Sequence, residues 1–390
     1  MTELKQRINI VKILNFPIAD NKVTEIDVDM QLDLDNGFCR CDISEPIKKL
    51  INDKQIILNK LYETTALYVI DDSGEKYTLF NFSYKYEKNM HFEEYISTFY
   101  YSVLFNAHIE SWDKLEIDKA ETTIKYRKAI GIDFNYQNIH IKTESQYSKE
   151  NLTKEDLDFL GEDSHGEYTG NIKIIFDGKQ TFKQAEPLIW RLSEFFLLIY
   201  EDMFFYDTFD LSYKDKMYKL KSYGRSNTSE LRKDTLRTKN GTCWSYCLGA
   251  LYDLENNFAK FIEFREKSGI IFDVFRSTVY SKSFREDYPL RLSQTMEGLA
   301  NYIGIVDTNK KDTFCSAIQL SLYCNDYIKE YLPETADIIN FGKAITKHRN
   351  MFSHIKDKGD YLKGNENERF AEILYTTLRI IMIKRISGKL

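Results

Sequence analysis

Six cysteines in 390 residues, at positions 39, 41, 243, 247, 315 and 324, are too few and too scattered to staple a chain of this length. Disulfide frameworks belong to small secreted domains. These residues are therefore expected to be reduced thiols, and mostly small core residues. Cys39 and Cys41 are spaced too tightly for a zinc knuckle. Cys243 and Cys247 stand four apart on an expected helix, but no second CxxC or HxxxH pair completes four ligands, so no metal and no cofactor are expected. The opening residues, MTELKQRINIVKIL, have no basic stretch followed by an unbroken apolar run, which leaves a secretory signal unexpected. The most apolar segment, FFLLIYEDMFF (195–205), is interrupted by Glu201 and Asp202 and is too short to span a bilayer. There is no internal repeat and no low-complexity tract. A cytoplasmic protein with no membrane partner is the expectation.

With 43% hydrophobic and 14% aromatic residues the chain can bury a sizeable core, and its length suggests two domains of ordinary size. The net charge of −6 counts against a general nucleic-acid coat protein. Its distribution says more. Residues 341–390 hold 11 Lys and Arg against 5 Asp and Glu, a local +6 on a remainder of −12. A basic end on an acidic body favours a polyanion at one place.

The first half reads as β-structure. In YVIDDSGEKYTLFNFSYKY (68–86) a β-rich run meets an Asp-Ser-Gly turn, and Phe80, Phe82, Tyr84 and Tyr86 then share one face at period two. NIHIKT (138–143) puts Ile139 and Ile141 on one side and His140 on the solvent side, and NIKIIFDGK (171–179) ends a further strand at a turn. After residue 180 the period becomes helical, in FKQAEPLIWRLSEFFLLIYEDM (182–203) and then over about 243–266, 270–281, 289–304, 311–331, 334–356 and 366–387. The last helix should carry one stripe of Phe370, Ile373, Leu374, Thr377, Leu378 and Ile381. The expected class is α+β: an antiparallel β-rich sandwich or barrel followed by an all-α bundle. The expected division is a β-rich domain over 1–206 ending in a helix, a polar connector over 207–242, and a helical domain over 243–390.

One helix carries more chemistry than packing requires. In KHRNMFSHIK (347–356), Phe341, Ile345, His348, Phe352 and Ile355 fall on one arc of the helix, so His348 is expected to pack. Lys343, Lys347, Asn350 and His354 recur at +4, +3 and +4 on the opposite side, with Arg349 on the flank. These groups suit phosphodiester cleavage in RNA. A neutral imidazole can take the 2′-OH proton, and an imidazolium can protonate the departing 5′-oxygen. A guanidinium offers paired donors to phosphate oxygens as charge builds. Asn350 can orient the imidazole or bind a phosphate oxygen, and Lys343 and Lys347 would contact substrate phosphates. No metal is required by this scheme, and the products would be a 2′,3′-cyclic phosphate and a 5′-hydroxyl.

Arg349-Asn350-Met351-Phe352-Ser353-His354 resembles the R-x4-H motif of HEPN ribonucleases, including the polar residue that follows the arginine. The wider chain resembles the ApeA-like HEPN proteins, in which a β-rich N-terminal domain precedes the HEPN helices. RLSQTMEGLANYIG (291–304) is similar to that family's earlier helix carrying a glutamate, here Glu297. The resemblance implies a metal-independent endoribonuclease of anti-phage defence that cuts host RNA, tRNA being the expected substrate, once a phage-derived trigger is sensed. It implies that Arg349 and His354 are catalytic with Asn350 in support, that Glu297 is a further candidate, and that the site forms in a homodimer. The alternative is a non-catalytic HEPN-like module that binds RNA or a protein partner, in which Lys343, Lys347 and Arg349 act as charge alone.

Overall fold

In the computed structural model the residues described are 7–34, 38–57, 61–88, 94–100, 102–126, 132–147, 168–200, 208–222, 252–279, 288–304, 343, 346 and 365–388. They fall into two units, Met1–Trp190 with Phe204–Asn227, and Arg191–Met203 with Thr228–Leu390. The described part of the first is mainly antiparallel β-structure and that of the second is helical, in keeping with the α+β class that the periodicities indicate.

Six strands of the first unit close on themselves. β1 (Arg7–Pro17), β2 (Val23–Asp33) and β3 (Phe38–Asp42) form one meander; after the short helix α1 (Glu45–Asn52), β4 (Leu61–Asp71), β5 (Lys76–Lys88) and β6 (Glu94–Phe99) form another. β3 pairs with β6 and β1 with β4, completing a ring in the order β1-β2-β3-β6-β5-β4. Along β2, Ile26, Val28, Met30 and Leu32 are buried while Asp27, Asp29 and Gln31 are exposed, so strict alternation fills the interior. The backbone seam that closes the ring is short: Ile10, Lys12 and Ile13 pair with Asp71, Ile70 and Val69. Asn15 lengthens it with its side chain, donating to the Ala66 carbonyl at 3.0 Å and accepting from the Tyr68 amide at 2.7 Å. The amide thus does what a paired backbone would do, and the closed ring leaves no open edge there.

The four aromatics expected on one face of β5 are divided. Asn81 has φ +50°, and the alternation changes phase around it. Tyr77 and Leu79 before it, and Phe82 and Tyr84 after it, pack in the barrel core, whereas Phe80 stacks on Trp112, ring centroids 3.7 Å apart. At the same point β5 changes neighbour. Tyr77–Phe80 pair with β7 (Ser102–Phe105), and Ser83–Lys88 pair with β6.

From β7 the sheet runs on through β13 (Lys216–Ser222), β12 (Thr208–Tyr213), β8 (Glu116–Tyr126), β11 (Tyr168–Thr181) and β10 (Ile139–Tyr147) to β9 (Asp133–Tyr136). The connector expected over 207–242 is corrected here: residues 208–222 are a hairpin of this sheet. Phe209, Leu211 and Leu220 are buried on one side, and the charged residues between them had disguised the period of two. β11 likewise does not stop at its Asp-Gly pair. It passes through Gly178, at φ +87°, with a register shift between Ile175 and Gln180, and continues to Thr181.

Thr181 then starts the long helix α2 (Phe182–Tyr200) with a reciprocal cap. Its amide donates to Gln184 Oε1 at 3.0 Å, and its hydroxyl accepts from the Gln184 amide at 3.4 Å. The division between units falls inside α2, between Trp190 and Arg191, rather than after residue 206. From Leu192 to Ile199 every residue of α2 is buried, as a core helix requires.

The second unit adds α3 (Leu254–Ser268), α4 (Ile270–Val279), α5 (Tyr288–Ile303) and α6 (Asn365–Ile386). Of the helix expected over 243–266, Leu254–Ser268 is helical behind Asp253, and residues 243–251 lie outside the described residues. The helices expected over 311–331 and 334–356 lie outside the described residues, except that Lys343 and Thr346 are helical. Phe195 packs against Phe258 and Phe261, Phe272 against Phe261 and Phe264, and Phe275 stacks on Tyr375. α6 is more deeply placed than one stripe implies, since every residue from Leu374 to Ile383 is buried. None of the described helices is long and apolar enough to cross a membrane.

Candidate functional site

Of the residues the sequence singles out, Arg349, Asn350, His354 and Lys347 lie outside the described residues, as does His348. Lys343 is helical and exposed. Glu297 is half-buried on α5, beside the fully buried stripe of Leu292, Met296 and Leu299. Ile303, at the end of the same helix, is partly exposed. Gly298, next to Glu297, faces Ile271 of α4 at close range. A Cβ there would stand 2.9 Å from Ile271 Cγ1, so glycine is what lets the two helices meet. His140 lies on the solvent side of β10, its Nε2 2.6 Å from Asp133 Oδ1, in line with the strand pattern.

The densest charge cluster among the described residues was not anticipated. Glu194 of α2 has no exposed side-chain surface, yet its carboxylate accepts hydrogen bonds from three arginines. Arg265 of α3 grips both oxygens, Nε to Oε2 at 3.0 Å and Nη2 to Oε1 at 3.3 Å. Arg276 of α4 donates to Oε1 at 2.8 Å, and Arg191, one turn earlier on α2, to Oε2 at 2.7 Å. Asp273 accepts from Arg265 Nη2 at 2.5 Å and from Arg276 Nη2 at 3.0 Å.

Arg265 is the centre of this cluster. Its Nη1 donates to the carbonyl of Gly269 at 2.8 Å, and its guanidinium carbon lies 5.2 Å from the centroid of the Phe272 ring. Gly269 ends α3 at φ +36° and turns the chain into α4, so one side chain ties together α2, the corner and α4. Burying a carboxylate costs several kcal/mol unless cations and hydrogen bonds surround it, and here both are supplied. Nearby on α2, Arg379 of α6 donates to the carbonyls of Leu198 and Ile199 at 2.5 and 2.6 Å. It thereby satisfies two acceptors that a helix end leaves without intrahelical partners.

The local half of this cluster was readable. Arg191 and Glu194 are three apart in WRLSEFFLL, and a carboxylate inside so apolar a run signals a buried partner. Arg265 and Arg276, 71 and 82 residues away, carry no local mark of the pairing. Among the described residues no group of three or more His, Cys, Asp or Glu could hold a metal ion, and Cys41 is buried, its Sγ donating to the Asp42 carbonyl at 3.6 Å. No protein-family model, no curated protein and no solved structure matches the chain.

Proposed function

We propose that this chain is a metal-independent endoribonuclease of the HEPN type. The observation that carries the reading is the spacing Arg349-Asn350-x3-His354 in a sequence whose period is that of a helix, with the charged positions opposite the apolar ones. The helical second unit and the exposed helical position of Lys343 are compatible with that reading.

In the proposed mechanism neutral His354 accepts the proton of a ribose 2′-hydroxyl. The freed oxygen attacks the adjacent phosphorus, and the P–O5′ bond breaks as the leaving oxygen takes up a proton. Histidine suits both proton transfers because its ordinary pKa lies close to neutrality. Arg349 offers two parallel N–H groups to the non-bridging oxygens as negative charge grows in the transition state. Asn350 orients the imidazole or binds phosphate, Glu297 is a supporting residue, and Lys343 and Lys347 hold neighbouring phosphates of the strand. The two protomers of a homodimer would share the cleft, host RNA such as tRNA would be the substrate, and a phage-derived signal would release the activity. The β-rich unit would serve as sensor or regulator.

The test is incubation of wild type, His354→Ala and Arg349→Ala with total tRNA in EDTA, followed by mapping of the ends. Cyclic-phosphate and 5′-hydroxyl ends made by wild type alone are the expected result. Equal cleavage by all three proteins would overturn the proposal. RNA binding without cleavage, weakened by Lys343→Ala and indifferent to His354→Ala, would establish a binding module in its place.

A further inference from the structure

On the surface of the helical unit, α3 presents a ridge of Lys260, Glu263 and Lys267, spaced at +3 and +4. The end of α6 lies against this ridge. Lys260 Nζ would stand 3.2 Å from a Cβ placed on Gly388, just past α6, and the Arg385 guanidinium is close enough to act on the charges of both Glu263 and Lys267. Three cations thus surround one carboxylate, and Glu263 is already taken by its ion pair with Lys267 one turn on. Lys260 and Arg385 make no hydrogen bond or ion pair among the described residues. Lys267 and Arg385 are exposed, and Lys260 is partly so. The other acids of α3, Glu255 and Glu266, fall about 120–140° round the helix from Lys260.

Folding accounts for only part of this charge. Lys267 and Arg385 stand in the last turns of their helices, where the backbone dipole favours cations, but Lys260 lies in the middle of α3. Unpaired cations that converge on one ridge repel each other, and an external anion relieves the repulsion. Tyr302 of α5 adds an aromatic: its ring meets Phe264 edge-on, centroids 5.3 Å apart, and its hydroxyl acts on the charge of Lys267. An aromatic among cations suits a single-stranded nucleic acid, whose bases stack while its phosphates meet the charges. We infer that the Lys260–Lys267 ridge of α3, together with Arg385, binds the phosphate backbone of a single-stranded RNA. The choice of RNA rests on the proposed ribonuclease function, to which the ridge adds a second holding point for the strand besides Lys343 and Lys347.

The test titrates a 2′-O-methyl uridine oligomer, which the 2′-hydroxyl mechanism cannot cut, into the full-length protein at several salt concentrations. Wild type should bind with an affinity that falls as salt rises. The double variant Lys260→Gln with Arg385→Gln removes two contacts, so its salt slope should be lower by about 1.4, which at about 0.1 M salt is roughly a twenty-five-fold loss of affinity. Lys214→Gln with Lys216→Gln makes the same change of net charge in the β-rich unit and should bind as wild type does. Glu263→Gln removes the competing anion and should bind more tightly. Equal binding by wild type and the Lys260 and Arg385 double variant, an equal loss in the Lys214 and Lys216 variant, or no tightening in Glu263→Gln would overturn the inference. Wild type that binds phosphatidylserine vesicles but not the oligomer would overturn it too, in favour of a lipid surface. Cleavage is read separately with tRNA and His354→Ala: an uncut tRNA with the binding pattern intact would sink the ribonuclease reading and leave the RNA-binding ridge standing.

Discussion

Replacing Glu194 by alanine tests whether the charge cluster is a keystone of the helical unit. The substitution removes the acceptor of Arg191, Arg265 and Arg276 at once, and it leaves the nearly buried Arg265 guanidinium with only Asp273 and the Gly269 carbonyl. Breaking a buried ion pair from one side costs about 3–5 kcal/mol, because the remaining charge stays desolvated. Asp273 continues to offset part of it, so about 3 kcal/mol is the expected loss. For a domain of this size each kcal/mol moves the melting temperature by about 2–4 °C. The helical transition, followed at 222 nm, should therefore fall by about 6–12 °C. The double replacement Glu194→Leu with Arg265→Met removes both charges and fills the space with apolar groups, and it should recover most of the loss. A Glu194→Ala protein within about 1 kcal/mol of wild type would refute the reasoning. So would a double variant no more stable than the single one.

Three further substitutions probe the rest of the fold. Asn81→Val forces a β-branched residue into φ +50° and should cost about 1–2 kcal/mol by urea melting, while Asn81→Gly stays close to wild type; equal costs would mean that the phase change in β5 does not depend on that conformation. Gly298→Ala should destabilise by about 1–3 kcal/mol through its contact with Ile271, and adding Ile271→Ala should cost less than the sum of the two single changes. Burial acts to raise the Asp71 carboxyl, but hydrogen bonds from Ser73, Tyr77 and the amides of Glu75 and Ser73 outweigh it and hold its pKa below the usual value. A depressed folded pKa gives stability that is complete above the unfolded value of about 3.9 and is lost as pH falls through the folded one. The gap in urea midpoint between wild type and Asp71→Asn should thus narrow from about pH 5 downward, and a gap constant to pH 2 would count against the assigned role.

The parts of the fold that were legible are those where one residue's neighbours in sequence are also its neighbours in space. The β4–β5 hairpin announces itself through Asp71-Asp72-Ser73-Gly74, because Asp71 collects the turn's own donors: the Ser73 amide at 2.9 Å, its hydroxyl at 2.7 Å and the Glu75 amide at 2.8 Å. Closure of the barrel was not legible. It rests on Asn15 reaching Ala66 and Tyr68 across about fifty residues, and an asparagine in a strand looks the same whether it faces water or completes a ladder. The hairpin of residues 208–222 was missed because six lysines and aspartates in TFDLSYKDKMYKLKS hide three buried apolar positions at alternate sites. Composition favoured a connector, and period two was the better guide.

The same distinction applies to the charged residues of the buried cluster and of the proposed site. Glu194 stands in an apolar run, so its charge has to be explained by the fold, and three arginines explain it. The sequence sets Arg349, Asn350 and His354 off the apolar arc of an expected helix, where folding would ask nothing of a charge. The two groups should therefore respond to substitution in opposite ways: changes at Glu194 lower stability first and any activity as a consequence, whereas changes at Arg349 or His354 remove activity while the melting temperature stays near that of wild type. Arg191 falls between the two cases. Its bond to Glu194 serves the fold while its side chain stays about one-third exposed, so its replacement should cost less stability than that of the buried Arg265.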